Sequence, residues 1–183
     1  MPPSDDDLVA LFAAVMLILL VLIFSRTAHC CESDVCNAMR ILQPAMSEER
    51  AETLADIFES AGEETEIDPL LLVAIAFRES SFSERVERLE HRGSLGELGL
   101  LQVHGAALRM RPEGCSETLE GAACQIRTGA RWLAFVRERC PGSTWRWLAA
   151  YGRGRCISEQ DARGDRSARI AASYYRRIGG VRW

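Results

Sequence analysis

A chain of 183 residues has room for one domain of ordinary size and a short extra segment, which excludes a second catalytic domain. Its formal net charge of −4 conceals a division: residues 31–120 carry 8 Arg and 19 acidic residues, whereas residues 121–183 carry 13 Arg and 4 acidic ones. Nucleic acid is not expected as a partner, because no aromatic-basic module or zinc spacing accompanies the arginines.

Residues 1–7 read as a short polar tail containing Asp5, Asp6 and Asp7, and residues 8–24 as a membrane anchor. The apolar run from Leu8 to Phe24 is 17 residues long, at the short end of what spans a bilayer. A cleaved signal peptide is the alternative, and the missing basic leader and poor cleavage pattern count against it. Thr27-Ala28-His29-Cys30 lacks the small residue expected before a lipidated cysteine. Residues 25–46 are polar and mixed, with Pro44, and suit a linker carrying one short helical turn.

The domain proper is expected over residues 47–183. Ser47 caps a helix whose first turn holds Glu48 and Glu49, with Leu54, Ile57, Phe58 and Ala61 as its buried stripe and Gly62 as its end. Asp68-Pro69 starts the next helix, since the Asp side chain caps free N–H groups and Pro at the first position loses no hydrogen bond. From Leu70 to Phe77 this helix is apolar all round, which marks it as buried. Glu79 is the first carboxylate after that run. Low dielectric and the negative end of the helix dipole both disfavour its charged form, so a raised pKa is expected.

Ser83 to Arg92 is a charged, exposed segment, followed by the Gly-punctuated stretch from Gly93 to Gln102. Leu98 to Met110 reads as a helix behind that loop. Ala122 to Arg139 reads as a long helix with Ile126, Ala130, Leu133 and Ala134 on one stripe, Trp145 to Tyr151 as a short one, and Ser167 to Ile178 as the last. No convincing strand pattern appears, so the fold class is all-α.

Seven Cys in a chain this short point to an oxidising compartment. Cys124 and Cys140 bracket the long helix and would stand ~24 Å apart, beyond disulfide reach. Cys115 with Cys124, and Cys140 with Cys156, are the preferred pairs. Of Cys30, Cys31 and Cys36, one of the first two can pair with Cys36 and the other can link two chains. With no close Cys-x-x-Cys pair and three His, no zinc site is expected.

Glu79-Ser80-Ser81-Phe82, followed by Gly96-Glu97-Leu98-Gly99-Leu100-Leu101-Gln102, resembles the signature of the lytic transglycosylase catalytic domain, a goose-type-lysozyme-like fold that cleaves peptidoglycan. Leu148-Ala149-Ala150-Tyr151-Gly152 is similar to the family's third motif, with Gly152 where Asn is usual. Leu101 stands where Met is usual, and Gln125, before Ile126-x-x-Gly129, where Asn is common. The resemblance covers about Ser47 to Tyr175 and implies a lytic transglycosylase with Glu79 as general acid/base and no need of a metal or cofactor; the apolar run of residues 8–24 makes it membrane-anchored. It places Ser80, Gly96, Glu97, Gly99, Leu100, Leu101, Gln102 and Tyr151 along the sugar cleft.

Implied partners are peptidoglycan glycan strands, the cytoplasmic membrane through the anchor, and a cell-envelope assembly. The basic C-terminal part then reads either as an intramolecular counterweight to the acidic part or as a positive rim for the carboxylates of wall peptide stems. Arg26 and Arg40 follow the anchor, so the positive-inside rule would hold the domain in the cytoplasm. Substrate and cysteine usage place it instead in the periplasm of a single-pass inner-membrane protein. Two rivals share the fold: a hydrolysing muramidase using Glu97 as second carboxylate, and a non-catalytic wall-binding scaffold.

Overall fold

The computed structural model describes Met16 and residues 31–180. The expected tail and the anchor over residues 8–24 therefore lie outside the described residues, Met16 apart. Among the described residues no helix is long and apolar enough to cross a membrane. The chain divides into two compact units, Met1–Cys30 and Cys31–Trp183, and the second is the helical domain.

That domain begins earlier than residue 47. Helix α1 (Asp34–Leu42) is capped by Ser33, whose hydroxyl accepts from Cys36 N–H at 3.1 Å. It buries Val35, Cys36, Ala38, Met39 and Leu42. These positions repeat at helical spacing, so the segment expected as a linker contributes a full apolar face to the core. The Cys31–Cys36 disulfide staples its first turn, with Cα atoms 5.5 Å apart.

Helix α2 (Glu48–Thr65) starts at the Ser47 cap and buries Leu54 and Phe58. It runs a turn past Gly62, the expected end, and stops at Glu66 in the left-handed conformation. Gly62 serves packing instead: a Cβ there would stand 2.7 Å from Pro69 Cγ, so the glycine admits the start of the next helix.

Helix α3 (Pro69–Ser80) begins as the sequence predicts, with Asp68 accepting from Leu70 N–H at 2.9 Å. Leu72, Val73, Ala74 and Ala76 are fully buried. Burial of each large apolar side chain here stabilises by about 1.5–3 kcal/mol. The helix stops because Ser81 and Phe82 adopt φ of 51° and 54°. Ser80 Oγ fixes this turn by donating to Ala76 O at 3.0 Å and accepting from Phe82 N–H at 3.2 Å. Phe82 folds back against Phe58 and Phe77.

After the short helix α4 (Glu84–Glu87), the Gly-rich stretch departs from expectation. Leu98 and Val103 exchange two backbone hydrogen bonds of 2.9 and 3.0 Å, closing a tight loop. Gly99 and Gln102 take positive φ within it, which no α-helix permits. Only Gly105–Met110 is helical, as a 3₁₀ segment.

Helix α5 (Ala122–Arg139) has the expected bounds. A Cβ at its Gly129 would stand 2.4 Å from Leu101 Cδ1, so Gly129 is the seat of the Gly loop. Helices α6 (Thr144–Arg153), α7 (Glu159–Gly164) and α8 (Arg166–Arg177) complete the all-helical domain. The buried side of α8 is Ala168, Ala171, Ala172 and Tyr175. Tyr175 donates to Asp68, tying α8 to the start of α3.

Cys115–Cys124 and Cys140–Cys156 are disulfides, with Cα separations of 5.7 and 5.4 Å. Bridges closing loops of this size typically stabilise by about 2–4 kcal/mol. The acidic and basic parts meet along α2 and α5, where Glu64 accepts from Arg131 and lies 3.9 Å from Arg127.

Candidate active site

Where α3 ends, the Gly loop and the end of α6 leave a cavity of about 220 Å³. It is lined by Arg78, Glu79, Glu97, Gln102, His104, Trp132, Tyr151 and Gly152, among others. Glu79 is held by the helix that carries it and by the Ser80–Phe82 turn behind it, and its side chain is 14% exposed. Burial pushes its carboxyl above the ordinary 4.5, the Arg78 guanidinium opposes that shift, and the charge of Glu97 adds to it.

Arg78 donates one Nη to Glu79 Oε1 and the other to Ser167 Oγ at the start of α8. Gly152 faces the same guanidinium, since a Cβ there would stand 3.9 Å from Arg78 Nη1. The space left open at Gly152 thus adjoins an arginine that contacts the buried carboxylate directly.

Tyr151 is buried, and its hydroxyl donates to Leu101 O at 2.8 Å, tying α6 to the Gly loop. Burial, and then the charge of Glu79, push that hydroxyl well above the ordinary 10.0, so it stays protonated. Gln102 is held at φ 47° with its amide donating to Gly99 O at 2.9 Å.

Glu97 differs from Glu79 in environment. Its carboxylate accepts from Leu95 N–H at 2.8 Å. Hydrogen bonding from its own backbone N–H holds it below the ordinary 4.5, burial opposes that shift, and Leu95 N–H and the charge of His104 add to it. The end of the Glu97 side chain lies against Gly93, where a Cβ would stand 2.2 Å from Glu97 Oε2. The two carboxyl groups facing one cavity are therefore pushed in opposite directions.

Of the residues expected along the cleft, the structure gathers Glu79, Glu97, Gln102 and Tyr151 around the cavity. It does not bring the others there. Leu100 and Leu101 are fully buried core residues, and Ser80 spends its hydroxyl on the helix end. Gly96 is exposed at φ 84° with open space around it, whereas Gly99 backs the loop, so close to Gln125 that a Cβ would meet its side chain at 2.4 Å. Gln125 is fully buried and holds the loop through Leu100 N–H, which donates to its Oε1 at 2.9 Å. Sequence reasoning missed Arg78, His104 and Trp132. Arg78 alone carried a local signal, a cation adjacent to the singled-out carboxylate. Among the described residues no group of three or more His, Cys, Asp or Glu could hold a metal ion.

An all-helical domain with a buried carboxyl group at the end of its central apolar helix, facing a Gly-shaped cleft, defines a lysozyme-like class. The family model for the transglycosylase SLT domain matches residues 56–173, and the chain belongs to that family. Its function is accordingly of the lytic-transglycosylase type, directed at peptidoglycan. No curated protein and no solved structure matches the chain.

Proposed function

We propose that this chain is a membrane-anchored lytic transglycosylase that cleaves the bond between N-acetylmuramic acid and N-acetylglucosamine, with Glu79 as the sole acid/base. The observation that carries the reading is the buried Glu79 carboxyl, raised in pKa, facing the cleft beside Arg78. Protonated Glu79 gives its proton to the glycosidic oxygen as the C1–O bond breaks. The resulting carboxylate takes the proton of the muramyl C6 hydroxyl while O6 bonds to C1. The products are a 1,6-anhydro sugar and a new sugar hydroxyl; no water is consumed, and Glu79 ends protonated as it began. Arg78 stabilises the carboxylate formed between the two proton transfers. Tyr151 holds the loop wall in place, and Gln102 presents its amide to the sugar.

The apolar run of residues 8–24 serves as the anchor, and residues 31–183 form the periplasmic domain. Three disulfides fit an oxidising compartment.

The hydrolytic rival needs a base to activate water. Glu97, with its lowered pKa and a carboxylate engaged by the backbone, is a weak one. The deciding experiment is mass spectrometry of digested wall material together with Glu97→Gln. Anhydro products, one water lighter than reducing-end ones, and activity within a modest factor of wild type are expected. Mainly reducing-end products, lost with Glu97→Gln, would instead establish the muramidase.

A pH profile supplies a separate check. The acid must be protonated to act, and Arg78 favours its charged form, so Arg78→Gln raises the Glu79 pKa further. The alkaline limb of kcat/KM against pH is expected to move to higher pH. A limb that stays in place or moves to lower pH would remove Arg78 from the site chemistry.

A further inference from the structure

The arginines of the C-terminal part are not all used within the fold. Arg127 and Arg131 meet Glu64, Arg137 donates to the Thr65 and Glu66 carbonyls, and Arg146 to those of Pro141 and Ile157. Arg153 pairs with Asp165 at 2.7 Å and Arg163 with Glu159 at 2.9 Å. Arg155, Arg166 and Arg169 are exposed, and their side chains make no hydrogen bond or ion pair within the described residues.

Their placement is not scattered. Arg166, Arg169 and Arg176 recur at i, i+3 and i+10 along one face of α8, and with Trp145 and Ile170 they line a groove of about 360 Å³. Arg166 also borders a second groove, whose lining includes Arg155 and Asp161. The strip reaches the cleft at two points. Gly154, next to Arg155, lines the cleft, and Ser167, next to Arg166, accepts from Arg78.

The acids facing the strip are already engaged. Asp165 caps α8 and pairs with Arg153, Glu159 takes Ser143 and Arg163, and Asp161 accepts from Ser158. Helix α8 itself carries no acidic residue, and its N-terminal dipole adds positive potential beside Arg166.

We propose that Arg155, Arg166 and Arg169 form a binding strip beside the cleft that takes the carboxylates of the peptide stems borne by the glycan substrate. A glycan lying in the cleft carries a stem on each muramyl residue, and a guanidinium fork matches a carboxylate with two parallel hydrogen bonds. The inference rests on the peptidoglycan reading of the cleft, and adds to it a preference for charged, peptide-bearing strands.

The test uses the full chain and the triple variant Arg155→Gln, Arg166→Gln, Arg169→Gln. Binding is measured by sedimentation with intact wall sacculi and with sacculi whose carboxylates have been converted to amides. Both proteins carry Glu79→Gln so that the material is not digested. The three side chains have no internal partners, so the variant is expected to unfold at the parental midpoint. With an intact strip, native sacculi are expected to bind about tenfold more tightly than amidated ones, a preference that salt erodes. The triple variant is expected to bind both kinds equally, at the level of the intact strip on amidated material.

Equal binding of both materials by the intact strip overturns the proposal, as does a loss in the variant that is the same on both. If the variant keeps the intact strip's preference for native over amidated sacculi, the strip does not take the carboxylates and the proposal also falls. Sedimentation needs no turnover, so absence of cleavage would defeat the catalytic reading while leaving this result interpretable.

Discussion

Glu79→Gln is expected to abolish wall cleavage while the helical domain remains folded. The amide is nearly isosteric with the carboxyl and can still accept from Arg78. It cannot donate a proton to a leaving sugar oxygen. Positioned acid/base groups contribute roughly 10²–10⁴-fold, and a group serving as acid and then base in one cycle falls at the upper end.

Stability is expected to hold at neutral pH for a reason the pKa direction supplies. The folded-state pKa of Glu79 lies above its ordinary 4.5, so the native state binds this proton more tightly than the unfolded chain does. The carboxyl then costs stability as pH rises from about that ordinary value through the folded one, and the cost persists above it. A neutral amide removes that cost, which offsets the weakened contact with Arg78. The measurements are release of soluble fragments from sacculi and a thermal unfolding midpoint. Residual cleavage within tenfold of wild type, from a variant with an unchanged midpoint, would exclude Glu79 as the essential acid.

The helices with strong local signals were legible in the sequence. Asp68-Pro69 starts α3 as capping chemistry dictates, and α5 has the predicted bounds because its apolar spacing is regular and Gly121 precedes it. Helix α1 was not legible. Its apolar positions are interleaved with Asp34, Asn37 and Arg40, and an average over the segment looks polar although the spacing is helical. Leu98 to Met110 failed in the opposite way: its apolar content suits a helix, but Gly99 and Gln102 take positive φ in a loop closed by Leu98 and Val103 and held from outside the segment by Gln125 and Tyr151.

The site shows the same divide. Glu79 could be read from its place after an apolar run, and Gln102 and Tyr151 from the motifs that contain them. The exclusion of Leu100, Leu101 and Ser80 from the cleft depends on which way each side chain turns. A motif records that a residue is needed, and only the packing records whether it is needed by the substrate or by the loop. The two functions meet in Gln125, which the sequence marked as a departure from the usual Asn.

Gln125→Leu is therefore expected to cause a large loss of stability and a further loss of cleavage. Gln125 is fully buried on α5, beneath the Gly loop. Its Oε1 accepts from Leu100 N–H at 2.9 Å, and its Nε2 donates to Glu87 O at 2.8 Å and to Leu119 O at 3.1 Å. One side chain thus binds the Gly loop, the end of α4 and the turn before α5. Leucine fills a similar volume without a polar atom and strands two backbone groups in the interior, Leu100 N–H and Leu119 O, and a third, Glu87 O, at its edge. Each such group costs about 1–3 kcal/mol when unpaired, so a total of roughly 3–5 kcal/mol is expected after partial relaxation. That is a large share of the roughly 5–15 kcal/mol by which a domain of this size is stable. Gln125→Asn keeps the chemistry but shortens the reach by one methylene, and is expected to fall between wild type and Leu. Urea unfolding gives the stabilities, and cleavage measured well below the transition separates misplacement of Gln102 and Glu97 from simple unfolding. A Leu variant within about 0.5 kcal/mol of wild type, on a scale where three lost hydrogen bonds should cost several, would show that the loop is held by its glycines and Tyr151 rather than by Gln125.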